Sequence, residues 1–352
     1  MNAAGEARGP GAPPDAGGSP GAGRSPDVVA SPGAGASRDA GASRDAGGSP
    51  ESGGSQVPPP TTTHAWANGV LVPADAPLIS ASDRGFLLGD AVFETIRVFG
   101  GRILELPLHA ERLRGSAAAL EIPLAGDVGT TLRAAIDELL VADGLAAPGT
   151  EVSVRVTLSR GPAELRGLLP SMEAHPTMVV QASRVLPPPA ELLTRGLHLA
   201  ISAVRRDPLS PLAAVKTTSR AEFVYARLEA RRRGADDALF LTVDGHLAEA
   251  TSASLFVLRA SELATPALAC GILAGTTRQW LLQWAARVGL RAREEWLLPE
   301  DLFGADEALL ASSVAGVLPV TRVEGRPIGD GRPGPWTLLA RSDREAFVRE
   351  EG

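Results

Sequence analysis

Lysine is almost absent from this chain: of 34 basic side chains all but one are arginine, and the exception is Lys216. The two cations are not interchangeable. A lysine amine can lose its proton and act as a nucleophile, whereas arginine stays protonated at any reachable pH. A position that stays lysine in so arginine-rich a chain is a candidate for covalent amine chemistry. The plain alternative is codon bias that happened to leave one. Cysteine is equally scarce. Cys270 stands alone, which excludes an internal disulfide and a cysteine-ligated metal cluster. No apolar run approaches the ~20 residues needed to span a bilayer, and the N-terminus lacks the apolar stretch of a signal peptide. Positive charge is not in excess, and a net charge of -7 gives no reason to expect nucleic acid or an anionic membrane as partner. The expectation is a cytoplasmic protein.

What is present divides the chain. Its 352 residues, 44% of them hydrophobic, suffice for about two domains. Residues 1–62 are rich in Gly, Ala, Ser, Pro and Asp, and Gly35–Ala40 repeats at once as Gly41–Ala46. Such a segment buries too little to offset its ordering entropy, so a disordered tail is expected. The folded body separates at Pro187-Pro188-Pro189 into a smaller α/β domain, 63–186, and a larger one, 190–350.

In the first domain, Trp66–Val72 carries an Asn-Gly hairpin turn. Ala91–Phe99 reads as a strand returning through Arg102–Leu106. Helices are expected over Leu108–Leu120 and Val128–Asp143, and strands over Val152–Leu158 and Thr177–Ser183. In the second, a strand near His198–Val204 precedes a helix over Ser219–Arg233. Ala221, Val224, Tyr225 and Leu228 form its expected buried face. Strands Ala238–Val243 and His246–Ala250 flank an Asp244-Gly245 turn. Ser254–Leu258, a helix over Thr277–Val288 and a strand Glu307–Ser312 follow. The pattern is mixed α/β (α+β).

Three features converge on one chemistry. Lys216 sits just before a helix, and Glu249 lies at the end of a strand. The turn Gly271–Gly275 opens directly into a helix through Thr276 and Thr277, offering free backbone N–H groups and hydroxyls to a phosphate. Lysine, carboxylate and phosphate cradle are the parts that pyridoxal 5'-phosphate (PLP) needs. Singly, the turn could be only a turn and the glutamate a solvated edge residue.

The order of these motifs resembles the class IV aminotransferases, the fold-type IV PLP-dependent enzymes. These include branched-chain and D-amino acid aminotransferases and 4-amino-4-deoxychorismate lyases. The resemblance runs from Asp83–Arg97 and His109–Leu113, through Lys216–Arg220, Arg232–Leu241 and Glu249–Phe256, to Leu273–Arg278 and Ser312–Val320. It implies a two-lobed α/β fold, a cofactor cleft and a homodimer. It further implies that Lys216 holds PLP as the internal aldimine and shuttles the substrate Cα proton, while Glu249 faces the pyridine nitrogen. Arg112, Thr276, Thr277 and Ser313 would hold the phosphate. Phe93 stands where D-amino acid aminotransferases carry a tyrosine, and Ala221 where the branched-chain enzymes do. Tyr225 is expected to serve packing. Arg166 matches a loop arginine that meets substrate carboxylate in some members, or is a solvated arginine. Arg97 is a second carboxylate partner or a structural ion pair.

Two activities remain open. One moves an amino group from an amino acid to a 2-oxo acid. The other eliminates pyruvate from aminodeoxychorismate to leave 4-aminobenzoate, a reading kept in play by Arg160, Arg166 and Arg220. A degenerate PLP-binding protein is a third, opposed by the intact Lys216–Glu249 pair.

Overall fold

Two sheets organise the chain in a computed structural model that describes residues 62–163, 167–171 and 173–350. The expected tail, 1–62, lies outside the described residues except for Thr62, and so does Arg166.

The first sheet is antiparallel, with six strands among the described residues. Their spatial order is Val70–Pro73, His64–Ala67, Thr177–Arg184, Glu151–Ser159, Ala91–Phe99 and Arg102–Ile103. Alternation drives its burial: Val152, Val154, Val156 and Leu158 point into a core shared with helices Leu106–Ala119 and Val128–Ala142. Asn68 and Gly69 make the expected tight turn, both with positive φ. One expectation fails here. The strand foreseen over Arg102–Leu106 stops at Ile103, because Glu105 adopts a left-handed φ of 51° and caps a helix that starts at Leu106, with Pro107 in its first turn. The Glu105 carboxylate then accepts from the buried Arg344 guanidinium at 2.8 and 3.1 Å.

The second sheet has nine strands among the described residues and partly closes on itself. Ser254–Arg259, Glu307–Ser312, Gly316–Val323, Leu197–Arg206, Asp237–Thr242 and Leu247–Ala250 follow in order, and Ser254 pairs back to Glu249. Closure therefore brings Glu249 and Ser254 side by side. Leu197–Arg206 and Asp237–Thr242 run parallel, so the chain between them must cross over. That crossover contains Lys216 and helix Ala221–Arg232.

This helix lies on a different face from the one expected. Val224, Tyr225 and Leu228 are exposed, and Ala226 and Ala230 are buried against Ala200, Ala238 and Phe240. Both faces have helical spacing; the small one wins because alanines let the helix approach the sheet closely. Glu229 locks the rotation by accepting from Ser202 Oγ at 2.8 Å and from the Ala203 N–H. The packing role expected of Tyr225 is thus not the one it has. A long last helix, Pro335–Glu350, carries Arg344 and Glu345 back to the first sheet.

Candidate functional site

Lys216 is held by its backbone before its side chain does anything. Strand Ala91–Phe99 is covered by its short partner only at Val98 and Phe99, which leaves its beginning unpaired on that edge. The Lys216 segment fills the edge: Phe93 N–H donates to Lys216 O at 3.0 Å, and Thr218 N–H to Ala91 O at 2.9 Å. Lys216 N–H donates to Ser116 Oγ at 3.3 Å, while the preceding Val215 packs on the first core.

The ammonium end enters a cavity of about 1140 Å³ between the two sheets, with Nζ 4.6 Å from the centroid of the Phe93 ring. Burial, only partly opposed by the Glu94 and Glu249 carboxylates, lowers its pKa to about 8. A fraction of the amine is therefore neutral at physiological pH.

Glu249 lines the same cavity. Burial pushes its carboxyl up, against the pull of Arg206 at 3.8 Å and the Leu273 N–H at 3.3 Å. Helix Thr276–Arg287 points its N-terminus into the cavity, and no side chain among the described residues caps it. A Cβ at its N-cap, Gly275, would sit 3.1 Å from Ser254 Oγ and 3.3 Å from Arg278 Cβ, tighter than an ordinary contact. Thr276 Oγ1 and Ser313 Oγ lie 3.1 Å apart. Thr277 Oγ1 accepts at 3.5 Å from Arg344, so the turn leans on the buried Arg344–Glu105 pair.

Arg112 reaches the rim from the first sheet's helix. Its Nε and Nη2 donate to both oxygens of the fully buried Glu94, and Nη1 donates to Ala274 O at 2.7 Å in the turn. The structure thus gathers Arg112, Lys216, Glu249, Thr276, Thr277 and Ser313 around one cavity, with Phe93 in its wall. Arg97 is not among the lining residues. Its guanidinium is taken up by Glu151 and Glu345, at 2.8 Å to each, a structural ion pair. Arg160 is likewise bound to Asp90 and the Glu121 carbonyl.

Arg155 in the cavity wall and Glu94 behind Arg112 were not foreseen in this arrangement. Arg155 lies on strand Glu151–Ser159, where the apolar residues alternate inward; its place on the opposite face, paired in register with Thr95, is the signal that could have found it. Glu94 lies within strand Ala91–Phe99, and its hold on Arg112 is visible only in three dimensions.

The sequence profile of the family described as Amino-transferase class IV matches residues 91–323. The chain belongs to the class IV aminotransferases. Similar members include a Methanocaldococcus jannaschii protein provisionally named as a branched-chain-amino-acid aminotransferase. It is 32% identical over 276 residues, 77% of this chain and 92% of that one. The aminodeoxychorismate lyase of Bacillus subtilis is 29% identical over 295 residues, covering 82% and 97%. Among solved structures, the branched-chain aminotransferase of Thermoproteus uzoniensis with norvaline superposes with a TM-score of 0.74. It is 25% identical, over 82% of this chain and 96% of that one. This class IV aminotransferase has the mixed α/β, fold-type IV architecture of those enzymes, whose class depends on PLP. Among the described residues no helix is long and apolar enough to cross a membrane.

Proposed function

We propose that this class IV aminotransferase uses PLP, carried on Lys216, to move an amino group from an amino acid to a 2-oxo acid. The observation that carries this reading is the placement of the sole lysine. Its amine is buried, lowered to about 8, and shares one cavity with Glu249 and an uncapped helix N-terminus.

The donor set fits the cofactor. Arg112, the N–H groups and hydroxyls of Thr276 and Thr277, and Ser313 would hold the phosphate, which suits the positive end of a helix. Glu249 is buried with incomplete compensation, a state that a cationic ring nitrogen beside it would relieve. When bound, PLP supplies the electron sink for the Cα–H bond. Lys216 Nζ takes the proton at Cα and returns it, a task for which an amine lowered toward neutrality is suited. Phe93 walls the site without the hydroxyl that a tyrosine would bring.

The protein is read as a cytoplasmic homodimer with lobes 63–186 and 190–350. Arg166 is kept as a candidate for the substrate carboxylate. The second reading is elimination of pyruvate to give 4-aminobenzoate, favoured by the arginines in the cavity and by the similarity to the B. subtilis lyase.

The test is an absorption spectrum of the protein with PLP, titrated with L- and D-amino acids. A visible band that shifts to the pyridoxamine form with one donor class supports transfer and names the donor. A band unmoved by any amino acid, followed by turnover of aminodeoxychorismate, supports the lyase. Absence of any band rejects both.

A further inference from the structure

The cavity carries more positive charge than the cofactor site uses. Arg112, Arg155, Arg205, Arg206, Lys216 and Arg220 line it, against Asp207, Glu222 and Glu249. Arg112 is paired with Glu94, and Arg206 lies 3.8 Å from Glu249. Among the described residues Arg220 has no carboxylate within salt-bridge reach, although it is largely buried.

Its position is fixed without one. One terminal nitrogen donates to the Thr251 carbonyl, and the guanidinium lies 3.3 Å from the centroid of the Phe223 ring. That stacking leaves the rest of the fork free for a planar anion. The guanidinium is also 6.0 Å from the Phe93 centroid, the ring beside which Lys216 Nζ lies at 4.6 Å. Burial, with Arg206 and Arg155 as cationic neighbours and only Glu249 opposing, pushes Arg220 down to about 10. A buried cation among cations is costly unless an anion joins it.

Resting on the reading above that an amino acid reacts at Lys216, we propose that Arg220 is a specificity-determining residue. It binds a second carboxylate of the substrate, remote from the one on the reacting carbon. The preferred substrates are then dicarboxylic amino acids or oxo acids, a feature the aminotransferase and lyase readings share.

The experiment compares glutarate with butyrate, unreactive acids of similar length, by calorimetric titration of the PLP-loaded protein. Wild type, Arg220→Ala and Arg220→Lys are each measured, together with kcat/KM for glutamate and norvaline of the matching stereochemistry. Wild type should bind glutarate about 100-fold more tightly than butyrate, the effect of one desolvated charge pair. Arg220→Ala should erase that preference, raise KM for glutamate and leave norvaline turnover within about threefold. Arg220→Lys should restore about tenfold, since the charge returns without the fork. Equal loss for both acids in Arg220→Ala overturns the proposal, because Arg220 would then hold the carboxylate they have in common. A wild type that does not distinguish the two acids overturns it as well. If wild type captures no PLP, the reading of Lys216 fails, while the same titrations on the protein as isolated still decide the role of Arg220.

Discussion

Arg112 donates to both oxygens of Glu94, Nε to Oε1 at 2.7 Å and Nη2 to Oε2 at 2.8 Å, and His109 Nδ1 lies 2.8 Å from the same carboxylate. Burial alone would raise the Glu94 carboxyl. The hydrogen bonds and charge of Arg112, with His109, more than reverse this and hold it at about 2. Replacing Glu94 by Gln leaves Arg112 without its counter-charge and frees it from its fixed orientation. The expected outcome is a loss of roughly 3 kcal/mol in urea unfolding and weaker PLP binding by equilibrium dialysis. The sign for pH follows from a depressed carboxylate: its contribution is present above the ordinary value of 4.5 and is lost as pH falls toward 2. Wild-type stability should decline across that window, and Glu94→Gln should decline less.

Lys216 is depressed as well, but here the shift records a desolvation cost instead of a stabilising partner. Its folded value of about 8 lies below the ordinary 10.5, so between these values the unfolded chain holds more protons. This group therefore makes stability rise with pH through that interval, and the desolvation cost is fully present below 8. The chemical counterpart is reactivity. Capture of PLP by the apoprotein, followed by stopped-flow absorbance, should accelerate with pH and level off above about 8 rather than above 10. Lys216→Ala should form no band at any pH, and full turnover by that variant would refute the assignment.

The Thr276 and Ser313 hydroxyls, 3.1 Å apart at the uncapped helix start, form a pair of phosphate donors in the proposed site. Ser313→Ala removes one hydrogen bond to a charged group, worth about 1.5–3 kcal/mol. PLP affinity should fall by about tenfold or more, while the band position of the saturated enzyme stays unchanged. A shifted band at saturation would mean that Ser313 touches the ring rather than the phosphate.

Arg97 bridges strand Ala91–Phe99 to Glu151 and to Glu345 of the last helix, and its guanidinium is almost wholly buried. Arg97→Met strands two carboxylates. A thermal melt should show clear destabilisation, about 3 kcal/mol, with kcat/KM measured at low temperature close to wild type. A large rise in KM for a carboxylate substrate would place Arg97 in the site instead.

Much of the candidate site, as a set of residues that share one cavity, was legible in the linear sequence. A lone lysine among arginines, a glutamate ending a strand and a glycine turn opening a helix are local signals, each tied to backbone geometry or to the chemistry of one side chain. The element pattern was legible for the same reason, since strands such as Ala91–Phe99 and Glu307–Ser312 announce themselves by composition and period. The helix over Ala221–Arg232 shows where this ends. Its two faces carry equally good periodicity, and only the sheet contacts of Ala226, Glu229 and Ala230 chose between them. Arg97, Arg160 and Arg220 look alike as letters. Tertiary structure gave the first two carboxylate partners and left Arg220 largely buried without one among the described residues, because charge pairing depends on distance across the fold and not along the chain.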